Sequence, residues 1–206
     1  GTLRGNLYVF KRYSIFQITY LGGSPLIQVR KVVDNIGAIS NKTICAAKIT
    51  QTALDGTVSK YEVLLFLTPD RKIVAFDGQY TYTLTDGMYE SNDYADIYMQ
   101  NMNEGLLPEA HAVYYEPENL YILFFAGCGS STINNALCLN MVSKGIWPWT
   151  NMTFRSSALW TGSNNYKLPY VGNYHGDVYR ALYGSHDNGT AITSYWETDL
   201  IDAKRP

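Results

Sequence analysis

The chain has 206 residues, 46 % of them hydrophobic and 17 % charged, with 16 Lys and Arg against 18 Asp and Glu for a net charge of −2. That length and apolarity supply a real core and argue against disorder; a near-neutral surface with no run of Lys or Arg argues against nucleic-acid specificity. Eighteen tyrosines, seven phenylalanines and four tryptophans suit strands and contact surfaces rather than long helices.

In chain order, the first element is a hairpin over residues 6–23, "NLYVFKRYSIFQITYLGG", followed by "LIQVRKVV" as an outer strand. "AISNKTICAAK" reads as the inner strand before a second hairpin, "EVLLFLTPDRKIVAFDG", with "QYTYTLT" after it. Residues 91–102, "SNDYADIYMQNM", form the one predicted short helix, with Tyr94, Ile97 and Tyr98 on one face and Ser91 or Asn92 at its start. A third hairpin, "AVYYEPENLYILFFAG", precedes the outer strand "ALCLNMV". "SSALWTG" is the inner strand before the fourth hairpin, "KLPYVGNYHGDVYRALYG", and "TAITSYWETDLI" is the last outer strand.

The four hairpins are a repeat. Phe10, Phe66, Tyr115 and Val171 end their first strands at steps of 56, 49 and 56 residues. Pro69 and Asp70, Pro117 and Asn119, and Gly172, Asn173 and Gly176 supply the fixed or positive φ of tight turns. "VLLFL" and "YILFF" are apolar at every position, as strands covered on both faces must be. The pattern predicts an all-β, β-propeller-like fold of about four blades of antiparallel strands. A single domain of residues 1–206 divides into blade regions 1–36, 37–87, 109–155 and 156–206, with a helical connection over 88–108. The first hairpin starts so early that no inner strand fits ahead of it, so the expected ring lacks a piece, which a partner strand could supply by edge addition.

Two histidine–aspartate pairs, His175 with Asp177 and His186 with Asp187, invite a catalytic or metal reading. Both fall beside Asn and Gly in predicted turns, one strand apart, and read as turn chemistry. The acids Asp77, Asp86, Glu116, Glu118 and Asp177 are the candidates for a glycosidase pair, but all lie in or beside turns. "GCGSS" at 127–131 opens no predicted helix and is a weak anion loop. Cys45, Cys128 and Cys138 have no metal-ligand spacing and read as buried structural thiols. No catalytic residue, metal or cofactor is therefore expected. No stretch approaches the roughly 18 consecutive apolar residues of a membrane span.

The distinctive surface candidate is "KGIWPWTNM", where Trp147 and Trp149 share one face of an extended chain and Pro148 disfavours a central strand. Tyr195 and Trp196 in the closing segment join them as interaction-surface candidates, since aromatics dominate binding hot spots.

"DNGTAITSYWETDLID", "GAISNKTI" and "KIVAFDGQYTYTLTDGM" resemble bacteriophage and prophage virion proteins of the propeller type, the tail hub or adaptor components of short-tailed phages. The resemblance implies a structural protein with no active site, assembled with other virion proteins and in a homo-oligomeric ring, located in the phage tail and in the host cytoplasm during assembly. The rival expectation is a secreted glycan-binding or glycan-cleaving propeller using its aromatics as stacking platforms.

Overall fold

The computed structural model describes residues 1–52, 58–85, 98–162, 167–183, 186–187 and 190–191, and they are mostly strand. The first sheet consists of β1 (Thr2–Leu3), β2 (Asn6–Lys11), β3 (Ser14–Tyr20) and β4 (Ile27–Asp34). The second consists of β5 (Cys45–Thr52), β6 (Val58–Leu67), β7 (Ile73–Phe76) and β8 (Thr81–Thr83). The third consists of β9 (His111–Tyr115), β10 (Leu120–Phe125), β11 (Asn135–Asn140) and β12 (Ile146–Thr150). The fourth consists of β13 (Phe154–Thr161), β14 (Lys167–Asn173) and β15 (Val178–Arg180), and β16 (His186–Asp187) pairs with β17 (Thr190–Ala191). Every described pairing is antiparallel, each of the four larger sheets is a meander in chain order, and none closes on itself.

The all-apolar strands serve two cores at once. On β6, Leu64 and Phe66 face the first sheet and pack with Leu3, Tyr8 and Ile15, whereas Val63, Leu65 and Leu67 face the third. On β10, Tyr121, Leu123 and Phe125 turn toward the second sheet, and Ile122 and Phe124 turn toward the fourth. Alternation along a strand thus puts apolar side chains on both faces, so a middle sheet needs an apolar residue at every position. The sheets are stacked first on second, second on third, third on fourth. Aromatic edges lock the seams: Phe10 meets Phe66 at 5.0 Å, and Phe124 meets Phe154 at 6.2 Å.

Between sheets, β9 approaches both β5 and β13, so the first strands of the second, third and fourth sheets lie side by side, while β1 approaches β6. Polar ties run along the same line. The buried Tyr121 hydroxyl donates to the Thr43 carbonyl at 2.9 Å, and Tyr114 donates to the Lys48 carbonyl at 3.3 Å. Between the first two sheets the middle of the linker is tied to both: Ala38 N–H donates to the Lys11 carbonyl at 3.0 Å and Ile39 N–H to the Leu67 carbonyl at 2.9 Å.

Several local expectations change. The first sheet does have an inner strand, the two-residue β1 paired with β2, which the alternation could not reveal in so short a piece. The third hairpin joins the first and second strands of its sheet, not the second and third as in the other sheets; "ALCLNMV" is accordingly the third strand and "IWPWT" the outer one. "AISNKT" contains a 3-10 turn at Asn41–Thr43, capped by Ser40, before β5 begins. Residues 98–100 are helical, while 91–97 of the predicted helix lie outside the described residues.

Candidate functional site

β12 is an edge strand, hydrogen-bonded to β11 alone, which is where a proline costs no ladder bond. Opposite it in register, Trp147 faces Cys138 and Trp149 faces Ala136, both members of the core between the third and fourth sheets. The two tryptophans therefore do share a face, but they divide its roles. Trp149 packs against that core, and Trp147, 37 % exposed, sits at its rim beside Gly145. Tyr195 and Trp196 lie outside the described residues.

A second aromatic surface was not singled out by the sequence. On the outer face of the fourth sheet an open groove of about 430 Å³ has Ser156, Ala158 and Gly172 among its small lining residues, with Trp160, Tyr170 and Val178 as large ones. Trp160 is 68 % exposed. "SSALW" carried the signal: small residues at alternate positions followed by tryptophan on the same face leave a trough beside a ring.

Of the two histidine–aspartate pairs, His175 and Asp177 belong to a turn, whereas His186 and Asp187 form a short strand. Asn173 Oδ1 accepts from the backbone N–H of His175 at 2.8 Å and of Asp177 at 2.9 Å, and Asn173 Nδ2 donates to the Asp177 carboxylate at 2.9 Å. The chain reverses around Asn173, and His175 contributes only its backbone to that network. His186 and Asp187 pair across to Ala191 and Thr190 as a short ladder.

The acids are likewise dispersed over the turns of separate sheets. Asp77 ends β7 and accepts from the N–H groups of Gln79 and Tyr80 at 2.8 and 2.7 Å and from the Tyr82 hydroxyl at 3.1 Å. Burial opposes ionisation there, but the Tyr80, Gln79 and Tyr82 donors outweigh it and hold the carboxyl below its ordinary value. Glu116 and Glu118 occupy the 3-10 turn between β9 and β10, closed by Asn119 at φ 54°, and Asp86 lies outside the described residues. No group of three or more His, Cys, Asp or Glu side chains among the described residues can hold a metal ion.

The remaining histidine, which the sequence reading passed over, is the one with a side-chain network. His111, 3 % exposed on β9, has Nδ1 2.7 Å from Ser157 Oγ and Nε2 3.0 Å from the Phe154 carbonyl, and its ring stacks on Phe124 at 4.8 Å. A carbonyl only accepts, so Nε2 carries the proton and Nδ1 accepts from the Ser157 hydroxyl. Burial pushes the His111 pKa below its ordinary value, the Phe154 bond opposing this and the Lys42 charge adding to it. A neutral imidazole beside a hydroxyl has the parts of a nucleophilic dyad. Ser157, however, pairs with the buried Val171, and its hydroxyl is turned to His111 across the seam between sheets, although Ser157 and Val171 also border the groove that Trp160 lines. The pair clasps two sheets.

The thiols differ from one another. Cys138 is fully buried and burial raises its pKa; the Cys45 thiol, against the core between the second and third sheets, is pushed up to about 12. Cys128 in "GCGSS" is exposed, because that segment is the long connection between β10 and β11 and not a strand. Among the described residues no helix is long and apolar enough to cross a membrane. No protein-family model and no curated protein matches the chain.

Proposed function

We propose that the chain is a phage virion structural protein, a tail hub or adaptor component, that works by assembly and not by catalysis. The observation that carries this is the stack itself: four sheets laid face to face, with apolar side chains still exposed on the outer faces of both end sheets. Large exposed apolar patches on a folded chain mark contact surfaces. The side-by-side first strands of the second, third and fourth sheets support reading the four sheets as propeller-like blades over residues 1–36, 37–87, 109–155 and 156–206, arranged about a common axis. The scattered acids and the inward-facing Ser157 hydroxyl favour a non-catalytic role. Measuring the mass of the chain in solution, alone and with neighbouring virion proteins, tests the reading. The expected result is complex formation, and a chain that stays monomeric with every such partner and is absent from purified particles overturns it.

The Trp160 groove favours one second reading, a glycan-binding propeller, because an exposed indole beside hydroxyl groups can stack on a sugar ring. The aromatic platforms at Trp147 and at Trp160 are built differently, which counts against a lectin site repeated in every sheet. Titrating oligosaccharides against tryptophan fluorescence separates the two readings; saturable quenching lost in Trp160→Ala favours the second.

A further inference from the structure

The outer faces of the first and fourth sheets both expose apolar side chains. On the outer face of the first sheet, Leu7, Val9, Ile18, Tyr20, Ile27 and Val29 form a continuous apolar row, since Leu7 pairs with Ile18 and Ile18 with Val29, while Tyr20 pairs with Ile27. Val29 is 60 % exposed and Tyr20 72 %. On the outer face of the fourth sheet the Trp160 groove is bounded by Val178, which is 71 % exposed.

Resting on the assembly reading above, we infer that these two faces are the halves of one head-to-tail interface: the first sheet of one copy packs on the fourth sheet of a second copy of this chain. Three arguments select that occupant. The same contact, one sheet face on the next in chain order, is already made three times inside the molecule, and this pairing continues the series in the same direction. The shapes are complementary, because branched side chains project from the first sheet whereas Ser156, Ala158 and Gly172 leave a trough in the fourth. The cations at the margins are already engaged within the chain, Lys31 with Asp34 at 3.3 Å, Lys11 over the Phe16 ring and Arg180 over the Tyr183 ring, which leaves the centres apolar.

The size sets the strength. Three or four strands about 4.8 Å apart, and about six residues long at about 3.3 Å each, make a face roughly 15 to 20 Å on a side. Two such faces, roughly 300 to 400 Å² each, bury on the order of 600 to 800 Å² in total, below the roughly 1,200 Å² of stable specific interfaces and in the range of weak, transient ones. A single contact is accordingly weak and is expected to form toward the several-hundred-micromolar end of the range, and a ring, in which every copy makes two, holds more tightly. A heterologous contact of this kind closes into a ring or runs on as a filament.

The test uses the full chain and two exposed-site variants, Val9→Glu on the first face and Val178→Glu on the fourth. Sedimentation of the wild-type chain from about 10 to several hundred micromolar is expected to show mass rising with concentration, and more so at high salt, since the contact is apolar. Each variant alone is expected to stay monomeric with an unchanged melting temperature. An equimolar mixture of the two retains one intact first face and one intact fourth face, and is expected to stop at a dimer. A wild-type chain that is monomeric throughout, a loss of association in only one variant, or a mixture that stays monomeric overturns the pairing. Purified particles separate this from the broader reading. A chain present in particles yet monomeric alone overturns only the self-pairing, and one that self-associates as described yet is absent from particles overturns only the virion role.

Discussion

His111 Nδ1 and Ser157 Oγ, 46 residues apart in sequence, meet at 2.7 Å and join the first strand of the third sheet to that of the fourth. Because burial lowers the His111 pKa, the folded protein resists the proton that the unfolded chain takes up near pH 6.5. Above that pH the imidazole is neutral in both states and pH has no leverage through it. Below it the unfolded state binds more protons, so stability falls as pH drops from about 6.5 toward the lower folded pKa, by at most about 1.4 kcal/mol per pH unit. Urea midpoints at pH 7.5, 6.5 and 5.5 are expected to decline for the wild-type chain. The decline is expected to flatten in His111→Gln, which is itself less stable at pH 7.5 by about 1 to 3 kcal/mol through lost stacking and a mismatched polar network.

Gly37 is fixed by space, not by φ. A Cβ built there would stand 1.9 Å from the Lys11 carbonyl oxygen and 2.8 Å from the Arg12 carbonyl carbon, both backbone atoms that cannot swing aside. Since Ala38 also donates to that Lys11 carbonyl, Gly37→Ala has to move the linker that seats the first sheet on the second. The expected loss is about 3 kcal/mol in chemical denaturation, at the upper end for overpacking. Gly23→Ala, with nothing within 4 Å, is the control and is expected to stay within about 0.5 kcal/mol of wild type.

What the sequence disclosed was whatever one strand decides by itself. "VLLFL" and "YILFF" announced coverage on both faces because every position must meet a core, and that much is visible in Leu64 and Leu65 turning to opposite clusters. Pro69, Asn119 and Asn173 marked turns because φ and side-chain capping are local. The place of a hairpin within its sheet is not local. "AVYYEPENLYILFFAG" looks like its three counterparts, and only the pairing of β11 with β12 reveals that it opens its sheet. His111 was overlooked for the same reason: no neighbour in sequence makes it special, and Ser157 and Phe154 reach it from another sheet. Trp160 reads in sequence as part of an inner strand, and it is exposed because, among the described residues, none of the other three large sheets packs on the face of the fourth that bears it.

The two tryptophans of β12 should separate in their energetics. Trp149 packs against the core between the third and fourth sheets, so Trp149→Ala removes contacts and leaves a cavity, with an expected loss of about 2 to 4 kcal/mol. Trp147 lies at the rim and is more than a third exposed, so Trp147→Ala is expected to cost less than about 1.5 kcal/mol. Melting curves of the two variants check the order. Equal losses would place both rings in the same environment, against the burial difference across Pro148.

The turn after β14 is held by Asn173 rather than by the histidine and aspartate that attract the eye. One amide supplies an acceptor to two backbone N–H groups and a donor to the Asp177 carboxylate and, at 3.5 Å, to the Tyr179 hydroxyl, and Asn173→Ala removes all four bonds. These bonds are largely exposed, so each contributes at the low end of the usual range and the expected total is about 1 to 2 kcal/mol. His175→Ala keeps the backbone bond at that residue and is expected to be near neutral. Asp177→Ala loses the Asn173 bond and a 3.4 Å contact from the Tyr179 hydroxyl, with an expected cost of less than about 1 kcal/mol. The double variant lacking both side chains should therefore melt above Asn173→Ala and associate as the wild-type chain does. A double variant that melted below Asn173→Ala, or lost a measurable hydrolytic activity, would return His175 and Asp177 to the position of a working site.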